Sequence, residues 1–493
     1  MSMKQKAKQF LLPLLLTASV TAAISCKKKK DDSSGTEQPP DSSIQSTVTI
    51  NRSARYQTID GFGFFGAKNV WWGNASTLYS DAWAKAVIED LGITIWRTEL
   101  YPPATATVSQ DADFNKQKQT IEGLKKIADE SRVPLKFIFS IWSPPADMKC
   151  AITEQGIPIP GTPHPGGTKN GGTLDPSKYI DFGNWIADGI QEFKDLGVNV
   201  YGFSPQNEPL FSQFFNSCRY NPVNVYPSML KNVIPVVKNR FPDVKVFGSE
   251  NMLEMEGGKD RQYFYNANLK TDNEALSQID LLAVHGYSDG VSPTGSAKLT
   301  NLWKTTQTEH MDPAGKPYWM TETSGYGENW LGNSTQASGA FNLAMDIHAA
   351  LYHGNISAWV WWQGSSDDPI NEFSLMQGES NKGKKYYVSK HFYRFIRPGA
   401  KMVNVSYSES DNIFVSAYEH PVMNSFTVVL INNNDKKAVV KLEGVNLPAD
   451  FDYFITSGLP TQNCTKASAR VSKDKVELGP HSIVTLVNGN VFE

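Results

Sequence analysis

The stretch Val200-Tyr201-Gly202-Phe203-Ser204-Pro205-Gln206-Asn207-Glu208-Pro209 begins as a short apolar run and ends in an amide, a carboxylate and a proline. The first five residues form a short apolar and aromatic run bounded by a proline, which predicts a strand that stops at Ser204. Seven more runs of this kind lie around it: Gly61 to Phe65, Thr94 to Thr98, Leu135 to Ile141, Val244 to Gly248, Ile279 to Val284, Tyr318 to Thr321 and Ala358 to Trp362. Between them stand amphipathic stretches with helical spacing: Ala82 to Leu91, Asn115 to Glu130, Pro176 to Leu196, Pro227 to Phe241, Ser334 to Tyr352 and Lys384 to Phe395. Asp175-Pro176 supplies a helix cap followed by a first-turn proline. Eight βα units predict an α/β chain built on a (β/α)8 TIM barrel. A doubly wound open sheet would need a glycine-rich phosphate loop after an early strand. Gly61-Phe62-Gly63-Phe64-Phe65-Gly66 has the glycines without the spacing, and its aromatics fill the space a pyrophosphate needs.

Beyond Arg397 the pattern changes to short alternating runs, Ile413 to Ala417, Ser425 to Ile431, Ala438 to Leu442, Tyr453 to Thr456 and Ser482 to Val487, separated by turns such as Asn432-Asn433-Asn434-Asp435. This predicts a C-terminal antiparallel β-sandwich side domain. Thr47 to Arg52 also alternates, and is expected to join that domain and clamp the two ends of the chain together.

The first residues read as an address. Lys4, Lys6 and Lys8 precede an apolar run from Phe10 to Ile24, and Ala23-Ile24-Ser25 leads into Cys26. That pattern predicts a lipoprotein signal peptide with lipidation at Cys26. Lys27 to Lys30, Asp31-Asp32 and a Ser/Pro/Gly/Gln-rich stretch predict a disordered tether. The expected organisation is signal peptide 1–25, tether 26–46, joining strand 47–60, barrel 61–396 and β-domain 397–493. A charged segment after a lipidated cysteine resembles a surface-export signal, so an outer-membrane lipoprotein facing outward is expected; a secreted or periplasmic protein is the alternative. Membrane contact would be through the anchor alone.

The formal net charge of -3 on 493 residues supplies no field to draw in nucleic acid. No Cys/His spacing suggests a metal site, so neither metal nor cofactor is expected, and the protein is expected to be a monomer. Three cysteines follow Cys26, and Cys150 and Cys218 each lie just past a strand end, which leaves a disulfide between them open.

In a barrel of this kind chemistry gathers where strands end. The fourth run delivers Glu208 and the seventh, Trp319-Met320-Thr321-Glu322-Thr323, delivers Glu322. A lone glutamate is more often a salt-bridged surface residue. Two strand-end carboxylates across one barrel mouth suit acid/base and nucleophilic work in glycoside cleavage. The twelve tryptophans, several beside Gly, Pro and Asn, fit the same substrate class, because flat indoles stack on sugar rings.

Asn207-Glu208-Pro209 and the strand-final Glu322 resemble clan A glycosidases, and within that clan the chain resembles glycoside hydrolase family 30. Ile59-Asp60-Gly61-Phe62-Gly63, Trp142-Ser143-Pro144-Pro145 with Met148-Lys149, and Phe395-Ile396-Arg397-Pro398-Gly399 carry the resemblance, which spans about residues 48 to 490. It implies a retaining mechanism with Glu208 as acid/base and Glu322 as nucleophile. It also implies Asn207 on the sugar 2-OH, Arg97 and Tyr287 on Glu322, and Trp142, Trp361 and Trp362 around the sugar, one of the last pair being core. Trp72, in Trp71-Trp72-Gly73-Asn74, is expected at a distal subsite. Ile347-His348-Ala349-Ala350 with Ala358 to Trp362 is similar to the xylanase branch. Family xylanases that need a glucuronate side group carry arginine just after this strand, whereas this chain has Gln363-Gly364-Ser365-Ser366-Asp367-Asp368. The expectation is an endo-β-1,4-xylanase that does not depend on glucuronate. An endo-β-1,6-glucanase or exo-acting β-glycosidase of the same family, and a non-catalytic surface glycan-binding lipoprotein, are the alternatives.

Overall fold

The computed structural model describes residues 43–67, 79–102, 114–258, 260–287, 297–334 and 338–491. The signal peptide, Cys26, Trp72 and tether residues 26–42 lie outside the described residues, whereas Ile44 to Ser46, expected in the tether, are strand because they pair with Ala438 to Val440. All eight expected runs form strands: β1 (Gly61–Ala67), β2 (Ile95–Glu99), β3 (Lys136–Ser140), β4 (Val200–Ser204), β5 (Lys245–Met252), β6 (Leu281–Gly286), β7 (Tyr318–Thr323) and β8 (Ala358–Ser366). Each pairs in parallel with its neighbour, and β8 pairs with both β7 and β1, which closes the barrel.

The C-terminal ends of β5 to β8 run two to four residues beyond the apolar runs, through Ser249-Glu250-Asn251, His285, Glu322-Thr323 and Gln363 to Ser366. Hydrophobicity stops at these polar residues, but the closed ladder continues and buries most of them. That buried polar rim is where the site forms. Below it Ile95, Ile138, Phe247, Leu281, Ala283, Trp319, Ala358 and Val360 fill the interior. The Trp319 indole stacks on Tyr201 at 6.0 Å and donates to Asp60 Oδ2 at 2.9 Å, so the base of the barrel is plugged.

The outer helices include Phe114–Glu130, Tyr179–Asp195, Val225–Arg240, Ala340–Tyr352 and Lys384–Tyr393. The Asp175 carboxylate accepts from Ser177 N at 2.9 Å, as its position before Pro176 predicts. The helix expected from Ser334 begins instead at Ala340, because the Asn342 side chain takes the Gly339 N–H at 2.8 Å and caps the chain there.

The N-terminal strand runs from Ile44 to Thr58 and pairs antiparallel with Lys401–Ser406. Its other edge pairs in parallel with Ala438–Glu443, so the β-domain is mostly rather than wholly antiparallel. The parallel pair arises because this strand enters from the far end of the chain instead of through a hairpin. Val48, Ile50, Val403, Val415, Val428 and Leu486 are among the residues of its separate core. His391, on the last outer helix, bridges Thr485 Oγ1 at 2.7 Å and Thr456 Oγ1 at 2.8 Å, tying barrel to β-domain. Cys150, Cys218 and Cys464 are buried free thiols, so no bridge joins Cys150 to Cys218.

Candidate active site

Arg97, on β2, organises the rim. Its Nη1 donates to Glu322 Oε2 at 2.5 Å, its Nη2 to Asn207 Oδ1 at 2.8 Å and Glu250 Oε1 at 2.9 Å, and its Nε to Ser140 Oγ at 3.1 Å. Its planar fork can reach four strands because it has five donors in a fixed geometry. Since guanidinium only donates, the Asn207 atom facing it is the oxygen, and the Asn207 NH2 turns elsewhere. Tyr287 OH donates to the other oxygen of Glu322. His285 Nδ1 lies 3.0 Å from Glu208 Oε1, and its Nε2 lies 3.3 Å from Glu250 Oε1. Sequence-predicted Arg97, Asn207, Glu208, Tyr287 and Glu322 thus meet in one place.

The backbone is strained at two of these carboxylates, with φ of +46° at Glu208 and +60° at Glu250. A left-handed conformation costs a non-glycine residue on the order of 1 kcal/mol or more, and persists only where the surroundings hold it. Asn207 N bonded to Ile141 O at 2.7 Å, and Gln206 Nε2 bonded to Trp142 O at 2.9 Å, supply part of that hold at Glu208.

Charges at the rim are paired. Burial works against ionisation of Glu250, but Arg97 and His285 outweigh it and hold its carboxyl at about 2. Burial equally disfavours the His285 imidazolium, yet Glu322, Glu208 and Glu250 raise it to about 9. Burial pushes Glu208 the other way from Glu250, above the usual carboxylate range, against the opposing pull of His285. Glu208, whose proton burial holds more tightly, therefore stands beside His285 and near Glu322, which receives hydrogen bonds on both oxygens.

Oxygens of Glu208 and Glu322 and a nitrogen of His285 lie within 4.8 Å of one another. Three such donors could approach a metal ion, but the Arg97 guanidinium and a protonated His285 already supply the positive charge there. The close approach of the two carboxylates suits the shorter of the two spacings that glycosidases use. Retaining glycosidases set them about 5 to 5.5 Å apart, and inverting ones about 6.5 to 9.5 Å apart to admit a water.

Aromatic rings wall the pair. Trp142 and Phe65 cover the Arg97 guanidinium at 5.0 and 5.6 Å, and Phe65 stacks on Trp362 at 4.2 Å. Trp361 is not part of this wall. Strand alternation sends it outward into the helix layer, where it is fully buried and donates Nε1 to Phe373 O at 2.6 Å. Sequence reasoning missed the roles of Glu250, His285, Ser140 and Phe65. Glu250 and His285 were findable, because each sits at a strand end, but an apolar run that stops at Gly248 or Val284 hides them.

No protein-family model matches the chain. Among curated proteins it is 25% identical over 449 residues to glucuronoxylanase XynC of Bacillus subtilis, covering 91% of this chain and 88% of that one. It is also 25% identical over 290 residues to an endo-1,6-β-D-glucanase of Aspergillus fumigatus, covering 55% of this chain and 53% of the other. Among solved structures a GH30 endoxylanase from Clostridium papyrosolvens matches with a TM-score of 0.69 at 22% identity, over 90% of this chain and 100% of that one. The last of these speaks to the fold, and the first spans both the barrel and the β-domain. With the paired rim carboxylates, these likenesses mark the chain as a glycoside hydrolase that resembles family 30, its stronger similarity lying on the xylanase side.

Proposed function

We propose that the chain is an endo-β-1,4-xylanase in which Glu322 is the nucleophile and Glu208 the acid/base. The observation that carries the chemistry is the short carboxylate separation, with Glu208 burial-shifted upward and Glu322 held by Arg97 and Tyr287. In the first step a Glu322 oxygen bonds to the anomeric carbon as the glycosidic bond breaks, and the Glu208 proton passes to the leaving oxygen. Glu208 is then a carboxylate, and the imidazolium of His285 stabilises it. In the second step Glu208 takes a proton from water, whose oxygen attacks the anomeric carbon and frees Glu322. The Asn207 NH2, turned away from Arg97, is the group left for the sugar 2-OH. That contact tightens as the ring flattens toward the transition state.

Similarity to a glucuronoxylanase supports xylan as the substrate. Independence from glucuronate is supported by the residues just past β8, where Asp367 and Asp368 stand in place of an arginine. The buried ammonium of Lys385, behind this loop, is taken up by the carbonyls of Tyr326 and Asn371 and by Glu328. A glucuronate would meet carboxylates with no guanidinium fork. Hydrolysis of linear xylan and glucuronoxylan at comparable rates is expected in a panel that includes β-1,6-glucan. Release of products from β-1,6-glucan only, or a strict need for glucuronate, would overturn this substrate.

The His285 charge predicts a pH effect with a definite sign. The imidazolium favours ionised Glu208, so His285→Gln removes that pull while keeping a donor, and the Glu208 proton is held to higher pH. The alkaline limb of kcat/KM should therefore move up by about one pH unit. A downward or absent shift in the pH profile would refute the coupling.

We also propose that the enzyme is exported on a lipid anchor at Cys26, from the targeting pattern of the first residues. Cys26→Ala should then release it from the membrane fraction; retention there would contradict the anchor.

A further inference from the structure

The loop that follows Glu208 carries two large apolar side chains in the open, Phe214 at 81% and Phe215 at 39% exposure. Single exposed apolar residues are ordinary. These two are adjacent, meet edge to face at 5.1 Å, and project from a turn whose backbone is tied down on every side. The Ser217 hydroxyl takes the N–H groups of Gln213 and Gly171 at 2.9 and 3.0 Å and donates to Gln213 O at 3.1 Å. Gln213 O also accepts from Asn170 N at 2.7 Å, and Ser217 N donates to Thr168 O at 2.9 Å. The buried Lys149 ammonium holds Ser217 O at 2.8 Å. Asn216 Nδ2 reaches Glu99 Oε1 at 3.2 Å, and Glu99 lies two residues beyond Arg97 on the same face of β2. The pair is therefore presented by a fixed turn that is anchored to the catalytic rim.

Position decides which sugar the pair would meet. An acid that protonates the leaving oxygen must face the leaving sugar, so that sugar lies against the rim of β4. The ring wall of Trp362, Phe65 and Trp142 belongs to β8, β1 and the end of β3. In the closed ring β4 and β8 are four places apart among eight, on opposite sides of the mouth. The Phe214–Phe215 turn and the Phe65–Trp362 stack thus belong to strands on different sides of the mouth, β4 on one side and β1 and β8 on the other. A pyranose presents C–H bonds from its ring faces, which meet the negative face of an aromatic ring favourably while its hydroxyls stay in water.

We propose that Phe214 and Phe215 form a stacking platform for sugars on the leaving-group side of the scissile bond. This rests on the retaining-glycosidase reading, but not on which β-glycan is cut. The test compares the wild type with the double variant Phe214→Ala/Phe215→Ala on two substrates of the sugar that the panel identifies. One is a linear hexasaccharide; the other is a β-glycosyl fluoride, whose leaving group brings no sugar to the platform. Both side chains are exposed, so the variant loses no core contact.

We expect kcat/KM of the double variant to fall about tenfold on the hexasaccharide, chiefly through KM, and to stay at the wild-type level on the fluoride. Phe214→Trp/Phe215→Trp, which keeps the rings, should retain hexasaccharide activity. Unchanged hexasaccharide kinetics in the alanine variant, or an equal loss on both substrates, would overturn the platform. A wild-type enzyme inert toward both the hexasaccharide and the fluoride would instead refute the glycosidase reading itself.

Discussion

Replacing Glu322 by Gln is expected to lower hydrolysis on the order of 10⁴-fold or more while leaving the fold and polysaccharide binding intact. The amide occupies the same space and keeps an oxygen for Arg97, but it cannot form the glycosyl ester. Glu208→Ala should behave differently. With a fluoride leaving group no proton is needed to break the bond, so the first step continues and the glycosyl-enzyme accumulates, because no base remains to deprotonate water. Azide needs no base. Added azide should restore turnover of the Glu208 variant and give a glycosyl azide of the β configuration, since two inversions return the original one. The anomer is read directly by NMR. An α-azide product, or azide rescue of the Glu322 variant to the β-azide instead, would reverse or sink the two assignments. Undiminished hydrolysis by Glu322→Gln would return the chain to the glycan-binding alternative.

The second large effect is expected at Arg97. Its guanidinium is fully buried and bonded to Glu250, Glu322, Asn207 and Ser140. Arg97→Met leaves two carboxylates in the barrel mouth with one of their cations gone. Breaking a buried ion pair from one side costs about 3 to 5 kcal/mol, so a drop of that size in unfolding free energy is expected by denaturant titration. Activity should fall as well, because Asn207 and Glu322 both lose the donor that orients them. Arg97→Lys separates the two contributions. It keeps the charge, but a single ammonium cannot bridge β3, β4, β5 and β7 together, so most of the stability should return and most of the activity should not. A fully active lysine variant would mean that the fork geometry is dispensable.

The barrel was legible because a parallel strand buried on both faces is written as an apolar run, and eight such runs separated by amphipathic stretches admit few other topologies. Val200–Ser204 forms over the residues its pattern predicts. The reading faltered where strands leave the apolar core, as at β5, whose last residues Glu250 to Met252 are polar or follow polar residues. Ladder pairing carries them on, and pairing is a property of neighbouring strands that no local window contains. Trp361 and Trp362 illustrate the same point. Composition allows either to face a sugar, and only the register of β8 against β1 sends one ring to the mouth and the other to the helix layer.

Glu208 and Glu322 were identifiable from one dimension, because each stands at the end of its own strand beside chemically suited neighbours. Their separation, the opposite fates of Glu208 and Glu250, and the fork of Arg97 were decided in three. The physical reason is that a carboxyl's protonation depends on the sum of burial and nearby charge. The residues that supply that charge, Arg97 on β2 and His285 on β6, come to the rim only when the sheet closes.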